Sequence, residues 1–171
     1  NAFSAAMLKP TGSYMQSIDD SGTSKVSSTR SIIEIPFGYY FDMGFGVGGI
    51  YSTENGIDKT ESSGSSTQTD TSRKSYGAGV GWMDSSDIGV FVNGYYYFNS
   101  EMTQASTTSK GTGYQLDLGI KFPVKKAFLA VQFSYKYYEY KKTVSSGVET
   151  DLASPRKLQF FDPQAAIIVM F

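Results

Sequence analysis

The sequence predicts an all-β protein, folded as a closed eight-stranded antiparallel up-and-down barrel that crosses a membrane. Its 171 residues include 13 Tyr, 12 Phe and 18 Gly, and a chain rich in aromatic residues but poor in leucine favours strands over helices. Apolar and polar side chains alternate with a period of two in eight segments, as expected of strands with one apolar face. The connections between the segments are alternately short and long, which is typical of an up-and-down meander.

The composition excludes several classes of function. The chain has no Cys and no His, which removes disulfides, thiolate metal ligands and the commonest general base. A net charge of -1 argues against nucleic-acid binding, because such proteins usually carry a basic surface. The length suits a single domain over residues 1–171. No run of about 18 apolar residues predicts a transmembrane helix, and the first residues do not resemble a signal peptide, as expected of a mature chain.

The first two segments alternate less regularly than the others. The first, residues 3–16, is interrupted at Pro10 and Gly12, where we expect a bulge or bend. Its apolar positions are Phe3, Ala5 and Met7. The second segment, residues 30–37, carries Glu34 on its polar face and has these residues on its apolar face: Ile33, Ile35 and Phe37.

The other six segments alternate cleanly, with Phe, Tyr, Val, Leu or Ile on one face and Gly, Ser, Gln, Asp or Lys on the other. A tilted strand of about 9–11 residues is long enough to cross a bilayer, and most of these segments approach that length. They comprise residues 41–51, 75–82, 88–98, 114–122, 129–138 and 165–171.

The connections place the two ends of the barrel in different environments. Short connections are expected near Gly38, at 84–87 and at 123–126, and long ones at 17–29, 53–73, 99–112 and 141–156. Nine of the thirteen residues from Thr60 to Ser72 are Ser or Thr. Such a segment buries little apolar area, so we expect mobile loops there. The alternation puts all long loops at one end and both termini at the other.

The glycines indicate which face of the sheet points inward. A barrel of eight strands has just enough interior for its side chains, so the bulky apolar face is expected outside and the small residues inside. Six glycines would then form a strip on the inner wall: Gly44, Gly46, Gly48, Gly77, Gly79 and Gly81. We expect an aromatic side chain to cover this strip, with Phe91, Tyr95, Tyr97 and Tyr138 as candidates. The alternative is a narrow cavity or water path.

Aromatic residues collect near the two ends of the strands, as in the girdles where a membrane protein meets lipid headgroups. One predicted girdle, at the short-turn end, comprises Tyr39, Tyr40, Phe41, Trp82, Phe122, Phe128 and Phe171. The other, at the long-loop end, comprises Tyr51, Tyr76, Tyr96, Phe98, Tyr114, Tyr135, Tyr137 and Phe161.

The eight-strand alternation and the C-terminal residues 165–171 resemble those of the small outer-membrane β-barrels of Gram-negative bacteria, in particular the transmembrane domain of outer membrane protein A and the outer membrane protein X group. This resemblance implies that Phe171, with Val169 and Ile167 before it, is the signal read by the outer-membrane assembly machinery. No peptidoglycan-binding sequence follows Phe171, so we expect no role in cell-wall tethering.

Six charged residues fall at inward positions: Lys9, Glu34, Asp42, Asp117, Lys121 and Lys136. Charges in a confined interior must be paired and hydrogen-bonded. Equal numbers of basic and acidic residues therefore predict a network of ion pairs that braces the barrel. In the functional alternative the pairs exchange partners and gate an ion path.

No catalytic, metal or cofactor site is expected. The string Gly44–Gly49 matches a dinucleotide-binding pattern, but the alternation continues where that motif needs a helix. Acidic residues of the long loops, such as Glu54 and Glu149, are expected to be solvated, with at most weak binding of divalent cations. Basic residues near the outer girdle, such as Arg30 and Arg73, are placed to meet lipid phosphates.

We therefore expect a non-enzymatic structural protein of the bacterial outer membrane, with extracellular long loops and periplasmic termini. Surface interaction or adhesion through the loops is the role we expect for them. A narrow pore for ions or small solutes is the alternative function, and a soluble lipocalin-like ligand-binding barrel is the third. We expect a monomer, with membrane lipid, lipopolysaccharide, the assembly machinery and an unidentified extracellular surface as partners.

Overall fold

A computed structural model describes residues 5–20, 24–41, 43–62 and 65–171. The described residues form strands and turns, and none of their segments is a helix long and apolar enough to span a membrane. The strands are β1 (Ala5–Leu8), β2 (Thr11–Asp20), β3 (Ser24–Tyr40), β4 (Phe45–Ser62), β5 (Ser65–Met83), β6 (Gly89–Gln104), β7 (Thr107–Val124), β8 (Ala127–Ser145) and β9 (Val148–Met170).

The sheet closes into a ring of eight because β1 and β2 are two halves of one interrupted strand. Both halves pair with β3, and both reach β9 on their other side. Two bonds bridge the interruption: the Lys9 amide donates to the Pro36 carbonyl at 2.9 Å, and the Pro10 carbonyl accepts from Ile167 at 3.0 Å. The predicted fold and the break at Pro10 are confirmed.

The apolar face of the sheet points away from the barrel axis. Leu118 and Val131 are each 57 % exposed, whereas their neighbours Asp117 and Gln132 are buried. Bulky apolar residues on the outside of a closed barrel are stable only in contact with lipid. The prediction of an outward apolar face is confirmed, and the soluble lipocalin-like alternative is wrong.

Three residues assigned to the outer face lie inside. Met7 and Tyr40 are buried, and Phe128 packs against the buried side chains beside them. Each follows the parity of its strand: Tyr40 shares the inward face of β3 with Glu34, and Phe128 shares that of β8 with Gln132. An aromatic side chain near a strand end therefore belongs to a girdle only if its parity is outward.

The predicted length of the long connections is wrong, because strands cover most of their residues. Ser62 pairs with Ser65, so β4 and β5 form a regular ladder along the described part of the Ser/Thr-rich segment. The pairs β6–β7 and β8–β9 likewise continue to the short connections 105–106 and 146–147. Backbone pairing needs no apolar burial, and Thr fits a strand well, so the polar segments extend the barrel beyond its apolar band.

The first short connection lies at residues 41–44, not near Gly38. The Gly44 amide donates to the Phe41 carbonyl at 2.8 Å, and Gly44 adopts a φ of 79° that favours glycine. Gly38 is an interior residue of β3. A Cβ there would lie 2.5 Å from the Val47 carbonyl oxygen, so this glycine permits close approach of two strands. The other two short connections lie at 84–88 and 125–126, close to their predicted positions.

The outward face should tolerate charge only near its ends. We expect Leu118→Arg, at the middle of the apolar band, to lower the free energy of unfolding by about 2–4 kcal/mol. The matched variant Val124→Arg, beside the turn at 125–126, should lose only about 0–1 kcal/mol. Urea unfolding of both variants in lipid vesicles tests this, and equal losses would contradict the membrane-spanning position of β7.

Candidate functional site

The interior of the barrel is the candidate functional site, and its side chains lie in three layers. The end that carries Phe171 is called the terminal end here, and the opposite end is the extended end. Near the terminal end an inner apolar layer comprises Met7, Tyr40, Met83, Phe91, Ala130, Ala166 and Ile168. Nearer the extended end an outer aromatic layer comprises Ile50, Tyr95, Tyr97, Met102, Tyr138 and Tyr140. A central polar network lies between them.

One half of the central polar network is built around Lys136. Its Nζ lies 2.6 Å from Glu34 Oε1 and 3.2 Å from Asp162 Oδ2. All three side chains are buried, on β8, β3 and β9 respectively. Two carboxylates around one buried ammonium ion leave a net negative charge at this position. Additional hydrogen-bond donors are therefore required to stabilise it.

The other half is built around Asp117 on β7. Lys9 Nζ lies 3.1 Å from Asp117 Oδ2 and donates to Gln132 Oε1 at 2.8 Å. The Ser134 hydroxyl donates to Asp117 Oδ1 at 2.6 Å. In the orientation that satisfies both ends of its amide, Asn93 accepts from Lys9 at 3.0 Å. Lys9 occupies the interruption between β1 and β2, so the bend places a cation inside the barrel.

Two glutamines join the halves: Gln115 through its amide nitrogen alone, and Gln164 also through its Oε1, which accepts from Gln132 Nε2 at 2.5 Å. Gln115 Nε2 donates to Glu34 Oε2 at 3.0 Å and to Asp117 Oδ1 at 2.7 Å. Gln164 Nε2 donates to Glu34 Oε2 at 3.1 Å and to Asp162 Oδ2 at 2.8 Å. The charges of the two halves are thus members of one hydrogen-bonded network. Such a network is stable when its members are satisfied and costly when one is removed.

The predicted charged residues fall into three groups. Lys9, Glu34, Asp117 and Lys136 lie together in the network. Lys121 is buried but outside it, where its Nζ donates to the Ser86 carbonyl and lies 4.3 Å from the Phe128 ring centre. No acid among the described residues forms an ion pair with it, because β7 carries it to the terminal end beyond the network. Asp42 lies outside the described residues.

Three residues of the central polar network are not among the predicted site residues: Asp162, Gln115 and Gln164. Parity could have found all three: Asp162 and Gln164 share the inward face of β9 with Ala166, and Gln115 shares that of β7 with Asp117. In the sequence the alternation of β9 is clear only from residue 165 onward, because Pro163 and the two consecutive aromatic residues at 160–161 interrupt it.

Five of the six predicted strip glycines lie on β4 and β5, and the exception is Gly44. Gly46 pairs with Gly81 and Gly48 with Gly79, whereas Gly77 pairs with Ile50. Gly44 lies in the turn at 41–44 and not in a strand.

Two tyrosines cover this strip. The Tyr40 ring would lie 3.0 Å from a Cβ at Gly46, and the Tyr95 ring lies against Gly79. Tyr95 was one of the expected covering residues, whereas Tyr40 was assigned to a girdle. Of the other candidates, Phe91 lies against Gly119 and Tyr138 against Gly113. The remaining space at the strip is about 10 Å³, no more than one water molecule occupies.

A small vestibule lies above the outer aromatic layer. Arg73 Nη1 donates to Glu54 Oε2 at 2.5 Å, and its guanidinium lies 4.4 Å from the Tyr138 ring centre. Arg30 Nη1 lies 3.7 Å from Glu54 Oε1. These residues line a cavity of about 60 Å³ together with Asp58 and Arg156. Glu54 and Arg73 were assigned to a mobile loop, but β4 and β5 hold them as a buried ion pair.

Beyond the apolar band, an exposed ion cluster joins three strands. Glu149 Oε2 accepts from Lys110 Nζ and Glu149 Oε1 from Lys142 Nζ, each at 2.8 Å. These two lysines hold the pKa of Glu149 at about 2, well below its usual value. No group of acidic residues in the described ranges has the arrangement needed to hold a metal ion.

Comparisons with known proteins bear on the fold alone. Neisserial surface protein A (NspA) superposes with a TM-score of 0.54 at 14 % identity, covering 100 % of this chain and 99 % of that one. The outer membrane protein OprG from Pseudomonas aeruginosa superposes with a TM-score of 0.55 at 11 % identity, covering 98 % and 93 %. This chain has the fold of the small bacterial outer-membrane β-barrels.

The barrel fold does not by itself specify an activity. The outer membrane protease OmpT from Escherichia coli superposes with a TM-score of 0.51 at 7 % identity, covering 99 % of this chain and 94 % of that one. The neighbours thus include a protease, and at such identities function does not follow from fold. No family model and no curated protein matches the sequence of this barrel.

The central polar network should be sensitive to the loss of its shared cation. We expect Lys136→Met to lower the free energy of unfolding by about 3–5 kcal/mol, because two buried carboxylates lose their ammonium partner. Adding Glu34→Gln should recover part of this loss. Lys121→Met is the control and should cost less, since it leaves no acid in the network unpaired. Urea unfolding in lipid vesicles measures all three, and a smaller loss for Lys136→Met than for Lys121→Met would contradict the network.

The exposed ion cluster gives a pH prediction. The pKa of Glu149 is depressed on folding, so its contribution to stability is present above its unfolded pKa of about 4.5 and is lost as the pH falls toward about 2. Carboxyl NMR titration should give a pKa near 2 for Glu149. Lys110→Met and Lys142→Met should each raise this pKa toward 4.5, whereas Lys74→Met should leave it unchanged. An unshifted pKa in both cluster variants would show that the lysines do not hold the carboxylate.

Proposed function

We propose that the protein is a structural, integral barrel of the bacterial outer membrane with an occluded lumen. The observation that carries this proposal is the filling of the interior from wall to wall by three layers of side chains. The buried ion pairs join strands that are distant in sequence, such as Lys9 of the interruption and Asp117 of β7. We therefore assign these pairs to bracing the barrel and not to a transport path.

The exterior supports a placement in the outer membrane. We assign the extended end to the extracellular side and the terminal end to the periplasm, because polar strands beyond the apolar band are typical of extracellular segments. Outward Ile167 and Phe171 are exposed at the terminal end, accessible to the assembly machinery. We propose a monomer, since a continuous apolar exterior is satisfied by lipid alone, and contact with lipopolysaccharide through basic residues near the extended end.

The extended strands provide a surface for contact with a partner. Beyond the apolar band, β4 to β6 form a concave face around a groove with a volume of about 660 Å³. The groove is lined by Asn55, Ile57, Gln68, Asp70 and Thr103. Its mixture of amide, hydroxyl and carboxylate groups suits polar surfaces such as carbohydrate or protein. We propose this face as the extracellular contact surface.

We also propose that the barrel is not an enzyme. Glu34 and Asp117 are engaged by ammonium and amide groups and are covered by the outer aromatic layer. A carboxylate that is saturated in this way and inaccessible from solvent is unsuited to general acid–base work on a substrate.

Planar-bilayer conductance tests the occluded lumen. We expect no steady single-channel steps from the pure wild-type protein, because the outer aromatic layer and the central polar network both close the lumen. The control is the double variant Tyr97→Ala with Tyr138→Ala, which removes two buried, stacked rings and should increase leak current. Steady steps from the wild type that Lys136→Gln alters would overturn the proposal and favour the gated pore.

A further inference from the structure

The ring is closed over only part of its height. β1 and β2 pair with β9 from Met7–Met170 to Thr11–Ala166, and Gly12–Ala165 is the last pair. Every other neighbouring pair in the described ranges continues far toward the extended end; β8 and β9, for example, remain paired as far as Ser145–Val148. From Ser13 and Gln164 onward, β2 and β9 therefore face each other without a ladder. We call this the open seam.

The open seam begins within the apolar band. Phe161 on β9 points outward beside Tyr135, with 5.1 Å between their ring centres, and both belong to the aromatic girdle at the extended end. The last ladder pair, Gly12–Ala165, lies four residues closer to the terminal end. Pro163, between the two, has no amide hydrogen to donate. Unpaired backbone in the hydrocarbon region is costly, so the first part of the seam requires a polar partner.

Two buried polar atoms flank the same opening and lack partners. The Ser13 hydroxyl and Asp162 Oδ1 form no hydrogen bond with any described residue. Ser13 follows the last paired residue of β2, and Asp162 is the second inward residue of β9 beyond that pair, after Gln164. The carboxylate oxygen can only accept a hydrogen bond, so the missing partner must include a donor.

An apolar groove lies on the outer surface of the barrel, at the end of the open seam that is nearer the terminal end. It has a volume of about 630 Å³, a floor of Gly12 and Ala165, and walls of Ile33, Val131 and Ile167. A Cβ at Gly12 would have no atom closer than 3.8 Å, so the small residue there leaves open space and is not forced by packing. The groove therefore accommodates one acyl chain.

We propose that the open seam is a binding site for a membrane lipid, with an acyl chain in the groove over Gly12 and Ala165 and a hydroxyl- or amide-bearing polar part between β2 and β9. The polar part donates to Asp162 Oδ1 and exchanges a hydrogen bond with the Ser13 hydroxyl. This site rests on the proposed membrane location but not on the occluded lumen. A lipid is favoured over an added β-strand because the site continues from the seam into the groove over Gly12 and Ala165. There β2 and β9 already pair with each other, so the backbone of a peptide in the groove would have no partner.

The test uses the barrel in phosphatidylcholine nanodiscs, whose lipid headgroup has no hydrogen-bond donor. The probes are monododecanoylglycerol and the same molecule with its free hydroxyls methylated, and the readout is the amide shift of Ser13 and Gln164 in NMR spectra. We expect saturable binding of the hydroxyl probe that is about tenfold tighter than that of the methylated probe, as one hydrogen bond in a buried site provides. Ser13→Ala should weaken binding of the hydroxyl probe about threefold and leave most of its preference over the methylated probe, because donation to Asp162 Oδ1 remains.

Gly12→Val and Gly94→Val form a matched pair of groove-filling variants. Gly94 also lies in an outward apolar groove with open space above it, but that groove adjoins no seam and no unpartnered polar atom. Gly12→Val should abolish the shifts at the seam, and Gly94→Val should leave them as in the wild type. Three results would each overturn the proposal. They are equal effects of the two variants, equal affinities of the two probes, and shifts at the seam that grow with protein concentration in the absence of probe, which would indicate binding of a second copy. Conductance of a barrel that still binds the hydroxyl probe would refute the occluded lumen alone.

Discussion

The pairing of backbone groups in a medium without water is the constraint on which this structure depends. A sheet inside a bilayer must close on itself, because an N–H or C=O group that faces lipid has no alternative partner. Closure here falls to the two chain ends, which meet along residues 6–12 and 165–171. The same requirement gives meaning to the region beyond Gly12, where closure stops before the apolar band does.

Closure of so narrow a ring then determines its contents. The interior is too small for a folded core and too confined for unpaired charges, so glycines, stacked tyrosines and paired ions share the available space. Tyr40 and Tyr95 occupy the room left by the glycine strip. Lys136 and Lys9 bring Glu34 and Asp117 into one network through Gln115. The stability of the barrel and its proposed occlusion both depend on this packing.

The parity of residues along each strand predicts most of the barrel interior, and the wrong predictions are local. Asp117, Glu34 and Lys136 were placed inside because period-two alternation depends only on the residues themselves. Tyr40 and Phe128 were misplaced because an aromatic near a strand end was assigned by type and not by parity. The Ser/Thr-rich stretch around Thr67 was expected to be a loop, since composition reports the surroundings of a strand and not its hydrogen bonds. Lys121 has the right parity but lies too near the terminal end to meet the acids of the central polar network.

The sequence by itself determined the number of membrane-crossing strands, their apolar outward face and the sign of the charges inside, since each follows from alternation along the chain. The tertiary structure alone decided which charges meet, how far the strands extend and where the ring stops closing. Those features depend on the register between neighbouring strands. The register of β2 and β9 is set by contacts between residues more than a hundred positions apart, and that of β7 and β8 by contacts across a turn. A local sequence pattern contains neither kind of contact.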